Sequence, residues 1–174
     1  MELGPVDRIT AEAVGEPGGR TFYLQARDGD ELVTITVEKQ QVQLLAASIL
    51  ELLADVELET GQGPPDEEMG LEEPYESVFR AGKLSIGYEP ERDLFLLEVQ
   101  ELQPELEEDD PEALLLPDPQ EVRLWATREQ MLALSRHGVA VAERGRPACQ
   151  FCGNPIDPRG HTCPAMNGHH SRTT

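Results

Sequence analysis

A cluster of cysteine and histidine near the C-terminus constrains the fold of this chain more than any other feature. Its spacing is C-x2-C-x8-H-x-C, formed by Cys149, Cys152, His161 and Cys163. Three thiols and one imidazole supply the four ligands that a closed tetrahedral zinc site uses. Glycine and proline residues between the two pairs allow the chain to turn back, so that all four side chains can reach one point. The pattern predicts a zinc knuckle and tail over residues 147–174, with a structural zinc ion as cofactor.

Other interpretations of these residues stay open. Cys149 and Cys152 could form a disulfide or a redox pair, or the thiols could simply be buried. The chain has only three cysteines, all within fifteen residues, and three thiols cannot all pair within one chain. A catalytic zinc would need an open coordination position, which four protein ligands do not leave. His169 and His170 could cap the metal site or belong to a tail.

The N-terminal sequence favours a cytoplasmic protein. Residues 1–5 lack the basic region and the apolar run of a signal peptide. The longest apolar stretch is far shorter than the ~20 residues that span a membrane. A reducing cytoplasm, in which a disulfide framework does not persist, is therefore the expected location, and no membrane association is expected.

The strong negative charge is concentrated in two segments. The chain has a net charge of −20, and residues 51–76 and 98–121 contain ten acidic residues each and no Lys or Arg. A field of this sign repels nucleic acid and anionic membranes, so neither is an expected partner. Residues 56–76 and 101–120 are predicted to be acidic loops, the first of them mobile because it is also rich in Gly and Pro. The apolar run 113–116 in the second loop is expected to dock somewhere.

The pattern of apolar residues predicts two units of three strands and a helix. In the first unit, over about 6–55, alternation along 20–27 and 32–37 indicates antiparallel strands, and apolar residues at helical spacing follow over 39–55. The second unit, over 77–144, begins with a bent strand that has a bulge at Gly82 and ends with a helix over 127–144. The expected fold is α+β, with antiparallel sheet packed by helices over residues 1–146 and the zinc knuckle beyond.

The two units also match each other in sequence. With a constant offset of 89, Val33 aligns with Val122 and Lys39 with Arg128, and Val42 aligns with Met131. The match runs through the strand–helix junction without a gap, which favours an internal duplication over a chance likeness of two junctions. Gly138 falls where the first helix has Ile49, so looser packing of the second helix is expected there.

A few cationic and amide side chains near these junctions could form a second site. The aligned pairs could line a pseudo-symmetric site for an anion or a partner, or they could be ordinary solvated residues at helix starts. With the arginine that follows the Gly-rich turn 15–19, the candidates are Arg20, Lys39, Gln41, Arg128 and Gln130. That turn joins two strands and opens no helix, so it lacks the dipole of a phosphate-binding loop. His137, in the middle of the second helix, is expected to be a surface or packing residue.

Two stretches resemble a known family. Residues 15–26 (Gly-x-Pro-Gly-x-Arg-x-Phe-Tyr-Leu-Gln-Ala) and 38–42 (Glu-Lys-Gln-Gln-Val) resemble the start of an actinobacterial family called domain of unknown function 3090. Residues 149–168 are similar to its C-terminal signature, Cys-x-x-Cys followed by Pro-Ile-Asp-Pro-x-Gly-His-x-Cys-Pro-x-x-Asn-Gly. The chain departs from the family at Gln150, Ala165 and His169, where proline, arginine and an aromatic residue are usual, but the ligand positions are intact.

The resemblance implies partners rather than an activity. Genes of this family tend to lie beside those of a phosphoinositide-kinase-like protein and a histidine-phosphatase-type protein. Either of these is therefore an expected protein partner within a phosphate-signalling or metabolic system.

Two functional hypotheses follow. The sequence contains no nucleophile elbow, P-loop, dinucleotide fingerprint or His-Glu-x-x-His helix. The first hypothesis is therefore a non-enzymatic adaptor or regulatory module with a structural zinc, whose acidic loops suit a basic partner surface. The alternative is a phosphate-ester-directed enzyme with a site between the two units near Arg20, Lys39 and Arg128.

Overall fold

One seven-stranded sheet and two helices form the body of the chain in the computed structural model. The structure describes residues 1–107, 109–145, 148–156 and 160–165. The helices are α1 (Lys39–Val56) and α2 (Arg128–Glu143), and 3₁₀ turns cover Asp66–Glu68 and Pro111–Leu115. The strands are β1 (Glu2–Leu3), β2 (Arg8–Val14), β3 (Thr21–Asp28), β4 (Glu31–Val37), β5 (Ser77–Glu89), β6 (Leu94–Glu101) and β7 (Glu121–Ala126). The predicted α+β class is confirmed.

The sheet is mixed rather than antiparallel throughout. Its order is β1-β7-β6-β5-β4-β3-β2, and the β1–β7 and β4–β5 pairs are parallel. Strand β5 makes this possible because it is long and bent: its start pairs with β4 and its remainder with β6. The register shifts between Ala81 and Lys83, which confirms the predicted bulge at Gly82. A Cβ at Gly82 would lie 2.8 Å from the Cα of Leu102, so a side chain there would collide with backbone.

The first and last strands of the sheet order are joined by a four-residue link, Gly4–Asp7. Its Val6 N–H donates to the Trp125 carbonyl at 2.9 Å, and its Asp7 N–H donates to the Arg27 carbonyl at 2.8 Å. The link therefore bridges β7 and β3, and the sheet curls around a largely aliphatic core that also contains Phe22, Phe79 and Phe95. Among the described residues, no helix is long and apolar enough to cross a membrane.

The two helices cross in close contact. Ser135 Oγ donates to the Ala46 carbonyl at 2.8 Å, and a Cβ at Gly138 would lie 3.2 Å from Val42 Cγ1. The expectation of looser packing at Gly138 is therefore wrong. Because Gly138 has no side chain, α1 and its Val42 can approach α2 closely at this point.

The first acidic loop is packed against the body, which corrects the prediction that it is mobile. Met69 is 1% exposed and lies in the protein core. Gln25 on β3 donates to the Glu72 carbonyl at 2.9 Å and accepts from the Glu72 N–H at 2.8 Å. Arg136 on α2 donates to the Pro64 carbonyl at 2.9 Å. Side chains far away in sequence thus satisfy the backbone of an acidic, Gly- and Pro-rich segment.

The second acidic loop behaves differently. The apolar run that was expected to dock does not pack against the described part of the chain: Leu114 is 89% exposed and Leu115 80% exposed. The run lies in the 3₁₀ turn Pro111–Leu115, which starts with the Glu112 N–H donating to Asp110 Oδ1 at 2.9 Å. Two leucines are therefore presented to solvent on a locally structured turn.

Candidate metal centre

A tight turn brings the first two cysteines together. The Gly153 N–H donates to the Cys149 carbonyl at 2.9 Å, and the Cys149 N–H donates to the Asn154 carbonyl at 2.8 Å. Gly153 has a φ of 72°, a left-handed conformation that glycine adopts without strain. Ala148 and Pro155 form an antiparallel bridge that closes the base of the turn. This local hydrogen bonding is what the Cys-x2-Cys-Gly spacing encodes.

The four predicted ligands converge on one point. The Sγ atoms of Cys149 and Cys163 are 3.8 Å apart, and Cys152 Sγ lies 3.2 Å from His161 Nε2. One ligand atom from each of the four residues lies within 4.8 Å of the others. A tetrahedral ion with metal–sulfur bonds of about 2.3 Å separates its sulfurs by about 3.8 Å. The arrangement can therefore hold a metal ion with no further protein ligand.

The electrostatics of the cluster favour one thiolate first. The backbone N–H groups of Cys152 and Phe151 point at Cys149 Sγ and lower the pKa of Cys149 to about 6. For Cys152, the Asn154 backbone N–H lowers the pKa, but burial and the hydrogen bonds to Cys149 and Cys163 outweigh it, so its pKa is raised. Cys149 therefore loses its proton before Cys152, and a bound metal would have to displace the protons that remain on its ligands.

The predicted junction residues do not form one site. Gln41 Oε1 accepts from the Glu38 N–H at 2.8 Å, and its Nε2 donates to the Ala81 carbonyl at 3.2 Å. Gln130 does the same at α2: its Oε1 accepts from the Thr127 N–H at 2.9 Å and its Nε2 donates to the Val6 carbonyl at 2.7 Å. Both glutamines cap their own helix and tie it to a neighbouring segment, so their amide groups have structural partners.

Arg20 and Lys39 do meet, on the side of the body that faces the metal cluster. Arg20 Nη1 donates to the Val141 carbonyl near the end of α2 at 2.9 Å, and Lys39 is the first residue of α1. Both line a cavity of about 350 Å³ together with Gly145 and Pro155. Among the described residues that line this cavity, Arg128 is absent, so the predicted grouping with it is not formed.

Arg128 instead joins a polar cluster at the other end of the helix pair. Its Nε and Nη2 atoms donate to the two carboxylate oxygens of Asp93 at 2.8 and 3.1 Å. Tyr88 donates to Asp93 Oδ1 at 2.7 Å. The hydrogen bonds from Arg128 and then Tyr88 hold the pKa of Asp93 below its usual value, and the bond to Asp93 is the main cause that raises the pKa of Tyr88. The cluster fixes the β5–β6 turn to the start of α2.

The shifted Asp93 carboxyl predicts a component of acid sensitivity. Because the folded state depresses this pKa, the folded protein binds fewer protons than the unfolded chain, and stability rises with pH. The contribution is present above the unfolded value of about 3.9 and is lost as the pH falls through the folded value. Asp93→Asn is expected to reduce the difference in urea midpoint between about pH 6 and about pH 3, because these two values lie above and below the usual pKa of an aspartate carboxyl.

Asp93 has a φ of 52°, which asparagine tolerates well, so this variant removes the charge without backbone strain. Glu91→Gln on the same turn is the matched control, because its side chain is exposed and forms no ion pair within the described residues. An unchanged pH dependence in Asp93→Asn, relative to this control, would contradict the prediction. The effect should shrink at high salt because the Asp93 side chain is half exposed.

Sequence reasoning missed a buried histidine between two carboxylates. His137 is 2% exposed, with Nε2 3.0 Å from Glu12 Oε2 and Nδ1 3.4 Å from Asp66 Oδ1. It was expected on the surface or in packing, and burial supports the packing role. It ties α2 to β2 and to the first acidic loop. No local pattern could reveal this, because the three residues come from three separate segments. His169 and His170 lie outside the described residues.

Comparison with known proteins identifies one family. A family model described as "Protein of unknown function (DUF3090)" matches residues 1–163. The matched segment includes the body and all four predicted metal ligands. Neither the curated proteins nor the solved structures contain a significant match to the chain.

Proposed function

This chain belongs to the family described as Protein of unknown function (DUF3090), and we propose that it is a non-enzymatic, cytoplasmic zinc-binding protein that acts as an adaptor or regulatory interaction module. The observation that carries the zinc assignment is the closed set of three sulfurs and one imidazole nitrogen within 4.8 Å of one another. Thiolate-rich tetrahedral sets are typical of structural zinc. Purified protein should contain about one zinc per chain by elemental analysis, and metal-free protein with three free thiols would refute the assignment.

A structural role for the metal also fits the placement of the cluster. Cys149 and Cys163 are each 7% exposed, and the bridge at Pro155 places that residue on a cavity wall of the body. We propose that residues 147–174 form a clamp on a body of residues 1–146. The alternative, a phosphate-ester-directed enzyme with a site near Arg20, Lys39 and Arg128, stays a prediction from sequence. The predicted grouping does not support it, because Arg128 lies apart from the other two and is paired with Asp93.

We further propose that the body arose by internal duplication. Apart from the short β1, each half has three strands followed by a helix: β2, β3, β4 and α1 in the first, and β5, β6, β7 and α2 in the second. Support comes from the glutamines at the two helix starts: Gln41 and Gln130 are offset by 89 residues and make the same pair of hydrogen bonds. The helices also contact each other at Ala46 and Ser135, which are related by the same offset.

The adaptor role rests on the second acidic loop. Leu114 and Leu115 project from a 3₁₀ turn and are 89% and 80% exposed, within a stretch from 98 to 121 that has ten acidic residues and no basic ones. Exposed apolar side chains on an acidic background suit a partner surface with an apolar cleft and a basic rim. The partners that we propose for this surface are a phosphoinositide-kinase-like protein or a histidine-phosphatase-type protein.

Replacing both leucines with serine should disrupt such a complex. We expect Leu114→Ser/Leu115→Ser to weaken binding to either purified partner at least about tenfold, because buried apolar anchors each contribute about 2 kcal/mol or more at an interface. Biolayer interferometry of immobilised full-length protein would measure the dissociation constant. Binding should also weaken as salt rises, since the acidic flanks attract a basic rim.

Leu58→Ser is the matched control, because Leu58 is 52% exposed and lies in the other acidic loop. It should bind like the wild-type chain. Equal binding by the double-serine variant would show that this turn is not the docking surface. Failure of both partners to bind the wild-type chain would contradict the adaptor role as proposed.

A further inference from the structure

Most Lys and Arg side chains in the described part of this acidic protein form ion pairs with carboxylates, but two of the exceptions share one cavity. The described residues include eleven of the fourteen Lys and Arg side chains, and eight of these eleven form ion pairs with Asp or Glu. The other three are Arg20, Lys39 and Lys83. Two of them, Arg20 and Lys39, line the same cavity. In a chain with a net charge of −20, two cations that share a cavity and have no carboxylate partner in the part of the chain that the structure describes mark a local exception to the field.

The positions of the two cationic groups converge on Gly145. A Cβ built on Gly145 would lie 3.3 Å from Arg20 Nη2 and 3.4 Å from Lys39 Nζ. Both nitrogens therefore lie close to one small volume beside Gly145. Arg20 is held there by its bond to the Val141 carbonyl at 2.9 Å and by stacking over the Phe22 ring, with 4.8 Å from Cζ to the ring centroid. The guanidinium is preorganised and retains other N–H groups for a ligand.

The cavity is large enough for a small molecule and has a suitable lining. Its volume is about 350 Å³, and its described lining consists of Gly18, Arg20, Phe22, Lys39, Gly145 and Pro155. This lining combines two cations and an aromatic ring and contains no acidic side chain. Four stretches meet here: the turn before β3 with the start of that strand, the start of α1, the segment just after the end of α2 and the Cys/His segment. Small-molecule sites commonly have this size and this mixture of apolar walls and few charged groups.

We propose that this cavity binds the phosphoryl group of a soluble phosphorylated small molecule, held between Arg20 and Lys39. A guanidinium and an ammonium close to one point can both donate to the oxygens of a single phosphoryl group. The strong negative field of the whole chain opposes approach to an anionic membrane, so the soluble form is the source that we assign. The site differs from the metal cluster and does not depend on which metal the cluster holds.

Another explanation of the two cations is that they stabilise the carboxyl end of α2. Arg20 donates to a carbonyl of its last turn, and positive charge at a helix C-terminus is favourable. This explanation predicts that loss of Lys39 lowers the melting temperature and that no phosphate binds. The two explanations are therefore separable by measuring stability and binding on the same variants.

The test is isothermal titration calorimetry of the full, metal-loaded chain in phosphate-free buffer. The probes are inorganic phosphate, pyrophosphate and glycerol phosphate, and a separate arm uses phosphatidylcholine vesicles that contain phosphatidylinositol phosphate. We expect saturable binding of the soluble probes. Lys39→Gln should weaken binding about tenfold or more, the loss expected for one charge-assisted hydrogen bond. Lys83→Gln, which removes an equal charge outside the cavity, should bind like wild type.

Gly145→Ala tests ligand binding without changing the charge of the cavity. Gly145 does not have a left-handed φ. The added methyl group would lie closest to the flexible ends of Arg20 and Lys39 and would meet the Ala142 carbonyl oxygen at 3.7 Å, an ordinary van der Waals distance. It should leave the melting temperature unchanged and yet weaken phosphate binding, because the methyl group occupies the point where the two cations converge. Zinc content is measured on every variant, so that weaker phosphate binding can be distinguished from loss of the metal.

Several outcomes would overturn the proposal. These are no saturable binding of any soluble probe, binding that Lys39→Gln and Gly145→Ala leave unchanged, and binding to the vesicles alone. A lowered melting temperature in Lys39→Gln without phosphate binding by the wild-type chain would assign the cations to the end of α2 instead.

Discussion

Replacing Cys152 with serine is expected to abolish stoichiometric zinc binding and to unfold the C-terminal segment, while the sheet and both helices remain folded. Cys152 Sγ is one of four converging ligand atoms and lies 3.2 Å from His161 Nε2. A serine hydroxyl is a much poorer zinc ligand than a thiolate. The affinity for zinc should therefore fall at least about 100-fold, since even the loss of a residue that only hydrogen-bonds to a ligand costs about 10–100-fold. Structural zinc contributes folding free energy directly to the segment that holds it.

Two measurements on the same samples test this expectation. Elemental analysis should fall from about one zinc per chain to a small fraction. Amide hydrogen exchange should become fast over 148–156 and 160–165 and stay slow in β3, β6 and the two helices, which pack in the core of the body. Thr162→Ser is the matched control, because Thr162 is exposed and lies between two ligands without being one. Full zinc content in Cys152→Ser would mean that the other three residues suffice, and the closed site would be wrong.

Met69→Ala is expected to destabilise the whole protein by about 2–5 kcal/mol, the range for large-to-small substitutions in a packed core. Met69 is 1% exposed although it lies in an acidic loop between Asp66–Glu68 and Gly70. The Thr10 hydroxyl donates to its carbonyl, and Arg8 donates to the neighbouring Glu68 carbonyl at 2.7 Å. Truncating the side chain leaves a cavity against β2, and the anchored loop should loosen with it.

Urea unfolding at neutral pH measures the effect, and limited proteolysis reports on the loop. We expect a lower midpoint with an unchanged slope, and faster cleavage within 56–76. Leu58→Ala is the control, since Leu58 is apolar, lies in the same loop and is 52% exposed; its effect should stay within about 0.5 kcal/mol. If the two variants had equal stability, the loop would not be part of the cooperative fold, and the sequence-based prediction of a mobile segment would be right.

Features encoded over short distances could be predicted from the sequence. The Cys-x2-Cys-Gly turn depends on hydrogen bonds between Cys149, Gly153 and Asn154, so the spacing alone indicates its geometry. The bulge at Gly82 and the amphipathic helices are equally local, because alternation and helical spacing reflect which side of one element is buried. The sequence identified the glutamines at the two helix starts but did not indicate their role. Their partners Ala81 and Val6 lie far away in sequence, so a capping role and a ligand role looked alike.

The sequence by itself therefore determined which Cys and His side chains cluster, the order of the longer strands and the two helices, and the asymmetric charge. Only the tertiary structure decided that β4 and β5 pair in parallel, that His137 lies between Glu12 and Asp66, and that Arg20 and Lys39, but not Arg128, share a cavity. It also decided that one acidic loop is packed while the other presents its leucines. The physical reason is common to all of these: they depend on the free energy of contacts between residues far apart in the chain, and no local pattern of side chains encodes which distant partner will be there.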